Sequence, residues 1–369
     1  MDAHHTFMQQ ALTLARQAIG LSEPNPRVGC VIVAADGHTV LGRGHTQQAG
    51  GPHAEIMALA DAAGRGLDVA GATAYVTLEP CAHHGRTGPC CDALAAARIG
   101  KVVAALPDPN PLVAGQGFAR LRAAGVEVEI GPGAEDSREL NIGFFSRMLR
   151  QTPWVRLKVA ASLDGTTALQ NGASQWITSA AARADGHAWR ARAGAVLTGV
   201  GTVLEDDPRL DVRDHPISTQ PAVVVVDSQW KTPPDARLFQ ADRPVFIYGA
   251  GPDAPRQDAL QASGATTIAL PGANGKVDLA AMMRDLAARG INELHGEAGH
   301  KLNGSLLREG LVDELLIYLA PKLLGSGLAM AHLGPFAELD QGIALEFKAT
   351  DRVGADLRIV ARVKGRDRF

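Results

Sequence analysis

The chain has 369 residues, 46% of them hydrophobic, with 36 basic and 39 acidic side chains and a net charge of −3. That length suggests two domains with enough apolar material for buried cores. The charge balance argues against nucleic acid as the main partner, and no run of about 18 apolar residues suggests a membrane span.

Residues 6–19 carry Phe7, Ala11, Leu14, Ala15, Ala18 and Ile19 at helical spacing. Val28–Val33 and Thr39–Gly44 read as a strand pair turned at Asp36-Gly37. Gly50-Gly51-Pro52 precedes a helix expected over His53–Ala63, with His53 and Glu55 in its first turn. A strand at Ala72–Thr77, an irregular loop over Leu78–Pro89 and a helix over Cys90–Ala97 follow. Lys101–Leu106, a helix at Gly117–Ala124 and Val126–Ile130 complete an alternating α/β layout. Pro153 cannot continue the helix ending at Arg147-Met148-Leu149-Arg150, so the boundary falls there: one domain over 1–148, a linker at 149–153 and a second domain over 154–369. The second domain offers buried-strand candidates at Val155–Ala160, Ala195–Gly199, Ala222–Asp227, Pro244–Tyr248, Thr266–Leu270, Glu314–Leu319, Ala344–Lys348 and Leu357–Val363. Helices are expected at Ala180–Arg192, Leu279–Arg289 and Leu302–Arg308.

The densest chemistry lies in the first domain. His53-Ala54-Glu55 is followed by Pro80-Cys81 and then by Cys90. One imidazole and two thiolates suit zinc, and three protein ligands leave a fourth position for water, as in catalytic rather than structural sites. The order H-x-E, then P-C and a second cysteine, is that of zinc deaminases, where the glutamate shuttles protons. Eight residues between the cysteines set this chain apart from most of that superfamily. A closed structural zinc site completed by Cys91, His83 or His84 would leave Glu55 unexplained, and a disulfide-rich knot belongs to smaller domains. Cys91 is expected to pack rather than ligate. Few cysteines and the absence of a basic n-region at Met1-Asp2-Ala3-His4-His5 fit a cytoplasmic protein.

The second domain has no G-x-G-x-x-G fingerprint. Glu297-Ala298-Gly299-His300 and Gly199-Val200-Gly201-Thr202 are strand-to-helix turns of the kind that can hold phosphate. Arg190 and Arg213 flank Asp206-Asp207-Pro208-Arg209-Leu210. Taken alone, each has an ordinary structural explanation.

Both halves resemble the bifunctional riboflavin-biosynthesis deaminase–reductase family. The first does so through Pro24-Asn25-Pro26-Arg27-Val28-Gly29, His53-Ala54-Glu55, Thr77-Leu78-Glu79-Pro80-Cys81-Ala82-His83-His84-Gly85-Arg86-Thr87 and Asp108-Pro109-Asn110-Pro111. The second does so through Ala161-Ser162-Leu163-Asp164-Gly165, Ser174-Gln175-Trp176-Ile177-Thr178, Asp206-Asp207-Pro208, Val226-Asp227-Ser228, Gly296-Glu297-Ala298-Gly299 and Ala320-Pro321-Lys322-Leu323-Leu324-Gly325. Gly88 stands where the family usually has proline, which loosens the loop and removes no ligand.

The resemblance implies an α/β chain with an N-terminal cytidine-deaminase-like three-layer α/β/α domain and a C-terminal dihydrofolate-reductase-like α/β domain. It implies zinc held by His53, Cys81 and Cys90, and Glu55 as proton shuttle. The substrate would be a small phosphoribosylaminopyrimidine, deaminated and then reduced by NADPH from ribosyl to ribityl. Asn25, His45 and His83 are candidates for orienting it. Position-matched cofactor contacts are Ala160, Trp176, Thr202, Asp206, Ser228 and the turn Gly299, His300, Lys301, Leu302, Asn303, Gly304 and Ser305. Substrate contacts are Ser174, Arg190, Leu210, Arg213 and Glu297, with Lys158 a plausible polar neighbour. A homo-oligomer is expected, although the sequence does not set the number of subunits. The competing readings are a deaminase acting on nucleic acid and a one-step pyrimidine deaminase whose second domain is not catalytic. The first would need a basic stripe beside the zinc. A third, non-enzymatic zinc module, is opposed by Glu55.

Overall fold

Two close packings set the layers of the N-terminal half. A Cβ at Gly29 would lie 1.9 Å from the carbonyl oxygen of Ala11, and one at Gly44 would lie 2.3 Å from that of Ala54. Gly44 pairs across the strands with Cys30, the neighbour of Gly29. Successive strand residues face opposite sides, so the helices containing Ala11 and Ala54 cover opposite faces of one sheet. In this computed structural model, residues 3–82, 88–111, 113–213 and 215–369 are described. The chain divides into two compact units, Met1–Gln151 and Thr152–Phe369.

The first unit runs α1 (Ala3–Arg16), β1 (Gly29–Val33), β2 (Val40–His45), α2 (Ala54–Gly64), β3 (Thr73–Val76), α3 (Cys90–Ala96), β4 (Lys101–Ala104), α4 (Gln116–Ala123), β5 (Glu127–Ile130), α5 (Ala134–Leu140) and α6 (Ile142–Arg150). The sheet order is β2-β1-β3-β4-β5, antiparallel around β1 and parallel from β3 to β5. β1 is buried along its whole length, which accounts for its unbroken apolar sequence. Helix α1 lies three residues earlier than its periodicity predicts. The amides of Gln17 and Ala18 bond to Leu14 and Ala15, three residues back, so the chain tightens out of the helix there.

The second unit runs β6 (Trp154–Ser162), β7 (Thr166–Leu169), α7 (Ala180–Arg192), β8 (Ala195–Gly199), α8 (Val200–Asp206), β9 (Ala222–Val226), β10 (Val245–Gly249), α9 (Ala254–Ala262), β11 (Ala265–Ala269), α10 (Leu279–Ala288), β12 (Glu293–Gly296), α11 (His300–Arg308), β13 (Glu314–Ala320), β14 (Gly327–Ala329), β15 (Leu345–Val353) and β16 (Asp356–Val363). Its main sheet has the order β11-β10-β9-β8-β12-β6-β13-β16-β15. It is parallel from β11 to β13, and β16 and β15 then add antiparallel. β7 pairs with β14 in a small separate ribbon.

Two strand readings need correction. The segment read as a buried strand at Ala344–Lys348 becomes β15, the outermost strand, and Phe347 is 74% exposed. Its residues are exposed on both faces nearly along the whole strand, so neither face is covered within the chain. Conversely, β12 escaped the pattern because Glu293 and His295 interrupt it, yet all four of its residues are buried. Arg156 and Arg192 satisfy Glu293 there, at 3.0 and 2.8 Å. Among the described residues no helix is long and apolar enough to cross a membrane.

Candidate active sites

The first site forms where two helices begin beside the ends of β1 and β3. His53 is the N-cap of α2 rather than a residue of its first turn, with φ −78° and ψ 169°. This extended conformation presents its Nδ1 to both sulfurs, at 3.5 Å from Cys81 and 3.4 Å from Cys90. Cys90 opens α3, and its backbone N–H donates to the Cys81 sulfur at 3.4 Å. Helix N-termini favour thiolates in this way. The three ligand atoms lie within 4.8 Å of one another. Tetrahedral zinc with bonds of about 2.3 Å to sulfur and 2.0–2.1 Å to nitrogen places those atoms about 3.6 Å apart. The donor set and its spacing therefore fit zinc.

Protonation is divided within this group. The Cys90 hydrogen bond pulls the Cys81 thiol down to about 4 against the effect of burial, with His53 adding to the pull. Cys90 is pushed up by the same shared proton and by burial. Glu55, in the first turn of α2, is only 3% exposed. Burial, and then the negative charge of Cys81, raise its carboxyl to about 7. A carboxyl poised near neutrality can both take and give a proton. Cys91 turns into the apolar core and is pushed up to about 11, chiefly by burial.

His53, Glu55 and Cys81 line a cavity of about 490 Å³, together with Asn25, Asp108 and Asn110. Asn25 is thus placed as expected, whereas Thr46 rather than His45 reaches the lining. His83 and His84 lie outside the described residues. The lining from Phe144, Arg147 and Met148 of α6 was missed, because those residues read only as the end of a helix. Asp108 and Asn110 were legible as a motif but not as part of the wall.

In the second unit the strand-to-helix turns sit at the C-terminal ends of adjacent parallel strands, where open α/β sheets bind ligands. α8 follows β8 directly, and α11 follows β12 after Glu297, Ala298 and Gly299. A Cβ at Gly299 would lie 3.9 Å from Thr202 Oγ1, and one at Gly199 would lie 3.3 Å from Leu302, so the two turns are neighbours. Asn303 and Gly304 are buried in α11 among the turn residues His300, Lys301 and Ser305. Asp206 ends α8, and its carboxyl is raised by burial and by Glu205. Ala160 lies on β6 and Ser228 just past β9.

Arg190 donates two bonds to Glu297, one of 2.9 Å from Nη2 and one from Nε, and a third of 2.9 Å to the carbonyl oxygen of Asp211. Burial alone would raise the Glu297 carboxyl, but Arg190 and then Lys158, at 3.7 Å, hold it well below the usual range. Arg213 pairs with the Asp211 carboxylate beside Leu210. The expected substrate residues Arg190, Leu210, Arg213 and Glu297 therefore meet at one place. Ser174 and Trp176 lie on the exposed segment between β7 and α7, where the Arg183 guanidinium stands 4.4 Å over the Trp176 ring.

Residues 1–106 match the cytidine and deoxycytidylate deaminase zinc-binding region, and residues 153–359 match the RibD C-terminal domain. The Escherichia coli riboflavin biosynthesis protein RibD is 43% identical over 364 residues, covering 95% of this chain and 97% of its own. A solved structure of Acinetobacter baumannii RibD superposes with a TM-score of 0.89 at 40% identity, covering 98% of each chain. The Thermotoga maritima diaminohydroxyphosphoribosylaminopyrimidine deaminase/5-amino-6-(5-phosphoribosylamino)uracil reductase gives a TM-score of 0.87 at 31% identity, covering 98% of this chain and 99% of its own. Fold and site together define a two-domain enzyme, a zinc-binding deaminase followed by a reductase. The chain belongs to the RibD family and is a bifunctional deaminase and reductase of riboflavin biosynthesis acting on a small pyrimidine. A one-step deaminase with a non-catalytic second domain is not favoured.

Proposed function

We propose that a domain over residues 1–148 hydrolytically deaminates 2,5-diamino-6-(5-phosphoribosylamino)pyrimidin-4-one to the aminouracil. After a linker at 149–153, a domain over 154–369 then reduces the ribosyl group to ribityl with NADPH. The substrates are those in the name of the Thermotoga maritima relative. The observation that carries the reading is the meeting of His53, Cys81 and Cys90, two of which line one cavity with a buried Glu55. His53, Cys81 and Cys90 are the proposed zinc ligands, and zinc when bound lowers the pKa of a water toward neutrality. Glu55 accepts the first proton of the attacking water and passes it to the ring nitrogen, then takes the second from the added hydroxyl as the carbonyl forms and passes it to the departing amine. Water oxygen adds to the amidine carbon, and ammonia leaves. Asn25 is within the lining and suited to orient the pyrimidine.

In the reductase domain the proposed substrate residues are Ser174, Arg190, Leu210, Arg213 and Glu297. Guanidinium forks match phosphate oxygens, and the pairing of Arg190 with Glu297 and of Arg213 with Asp211 orients both. Ala160, Trp176, Thr202, Asp206, Ser228 and Gly299–Ser305 form the proposed NADPH site, supported by the two adjacent turns at helix N-termini. NADPH when bound supplies the hydride, and the side chains supply position and charge.

The test follows ammonia release and NADPH consumption separately, with the purified chain and the diaminopyrimidinone. Ammonia should appear without NADPH and cease on zinc removal, while NADPH loss should require the deaminated product. NADPH loss without prior deamination, or ammonia release that survives complete removal of zinc, contradicts the scheme.

A further inference from the structure

Glu79 stands two residues before Cys81 and is only 4% exposed. It lines the cavity that holds His53, Glu55 and Cys81, yet among the described residues its carboxylate bonds to none of the three metal-ligating groups. Both of its carboxylate oxygens instead accept backbone N–H groups. Oε2 accepts from Asp108 at 3.1 Å and from Gly115 at 2.9 Å; Oε1 accepts from Gly117 at 2.9 Å and from Phe118 at 3.3 Å. Gly115 is the N-cap of α4, and Gly117 and Phe118 belong to its first turn. These are donors that a helix leaves without an intrahelical partner, and a carboxylate there also meets the favourable end of the dipole. The backbone N–H of Glu79 donates to Leu106 at 3.0 Å, which fastens the same residue to the chain leaving β4.

The joint is tight. A Cβ at Gly117 would lie 2.0 Å from the carbonyl oxygen of Pro80 and 3.1 Å from Glu79 Oε1. Further along α4, Arg120 donates to the carbonyl oxygen of Ala82 at 2.7 Å and pairs with Asp92 of α3 at 3.0 Å. α4 therefore grips the chain on both sides of Cys81. The segment that Glu79 gathers, from Asp108 to Gly115, contributes Asp108, Asn110 and Val113 to the cavity holding His53, Glu55 and Cys81. An Asx turn, with the Asn110 N–H on the Asp108 carboxylate at 2.8 Å, stiffens that wall.

We propose that Glu79 is a positioning residue of the deaminase, setting the pocket wall at Asp108–Val113 in register with Cys81 by capping α4. The wall and the metal ligand come from different strand ends, and this one carboxylate joins them. The assignment of the wall to pyrimidine binding rests on the deaminase reading above.

Glu79→Gln tests this in the full-length, zinc-loaded chain. It nearly preserves shape, but one acceptor oxygen becomes an NH₂ donor, so two of the four N–H groups lose their acceptor. The KM for the diaminopyrimidinone should rise about ten- to hundredfold while kcat stays within about threefold, the size expected for lost charge-assisted bonds that act on binding. Zinc content and reductase rate should not change. Amide exchange at Asp108, Gly115, Gly117 and Phe118 should accelerate. An unchanged KM, a fall in kcat alone, or loss of zinc overturns the proposal. If the glutamine variant does not fold, Glu79→Asp keeps the charge with a shorter reach and should still raise KM; an unchanged KM there overturns it equally. Amide exchange needs no substrate. Accelerated exchange in a chain whose wild type does not deaminate this pyrimidine would therefore fault the substrate assignment and not the brace, and unaltered exchange faults the brace.

Discussion

Two glutamates, a buried one in the first unit and a partly buried one in the second, are driven in opposite directions. Glu55 has burial and the charge of Cys81 against it, and its carboxyl rises to about 7. Glu297 is partly buried, and Arg190 and then Lys158 overcome the penalty of that burial and hold it well below the usual carboxylate range. The difference separates two uses of a carboxyl. One that must exchange protons needs an environment that tolerates both of its forms. One that must orient a guanidinium works best when its charge is permanent. The surrounding cores differ similarly. The first unit is built on one large apolar cluster. The second carries a buried ladder across neighbouring strands, in which Glu314 takes Arg156 at 2.5 Å and Arg362 at 3.1 Å, and Arg156 also meets Glu293 at 3.0 Å.

The sharpest way to break the contrast is Glu55→Gln. If Glu55 is the proposed shuttle, ammonia release should slow about 10²- to 10⁴-fold, with zinc retained and the reductase step untouched. A near wild-type rate removes Glu55 from proton transfer and with it the distinction between the two carboxyls. Next in size is Arg156→Met, which leaves Glu293 and Glu314 buried without this partner. Breaking a buried pair from one side costs about 3–5 kcal/mol. Urea unfolding followed through the second unit should show that loss, while deamination survives. If deaminase stability falls equally, the two cores are not independent.

The ladder also predicts a pH dependence. Although burial opposes it, Arg156 holds the Glu314 carboxyl below its ordinary 4.5, and Arg190 does the same for Glu297. The unfolded chain then binds more protons than the folded one in that range. Their stabilisation is complete above pH 4.5 and is lost as pH falls through the folded values. Urea midpoints for the second unit, measured downward from about pH 6, should decline below the ordinary glutamate value; a flat profile contradicts the ladder.

Arg190→Ala should have a smaller effect, in the reductase alone. A charge-assisted bond of about 1.5–3 kcal/mol corresponds to a ten- to hundredfold loss in kcat/KM, with the penalty shrinking for a substrate without phosphate. Equal losses for both substrates would assign Arg190 to holding Glu297 and the fold. The smallest effect is expected for Ser179→Ala. Ser179 caps α7, the helix carrying Arg190, by accepting the Ala182 N–H at 3.3 Å. Its removal should cost about 1 kcal/mol in urea unfolding and leave reductase KM almost unaltered, which would show that Arg190 is oriented by Glu297 and not by the helix end.

Much of the first site was readable because its chemistry requires particular side chains. Only certain residues bind zinc, so His53, Cys81 and Cys90 announce themselves wherever the chain folds, and Glu55 follows from its place beside His53. The proposed reductase residues were harder to derive because a turn such as Gly299–Ser305 would hold a ligand through backbone and shape, which many sequences can supply; resemblance rather than pattern pointed to them. The exposed β15 and the buried β12 misled the pattern for one reason. Apolarity reports what a strand could bury, whereas the elements that pack over its two faces decide what it does bury.

The sequence by itself determined the candidate metal-ligand types, the glutamate beside them, the alternating α/β layout and the family resemblance, all of which depend on residue identity over short spans. Tertiary structure alone decided which partners those residues meet. Arg156 finds Glu314 158 residues away because β6 and β13 lie side by side. Glu79 reaches Phe118 39 residues on because the start of α4 packs against Pro80. Such pairings follow from strand order and close backbone approach, which no local spacing encodes.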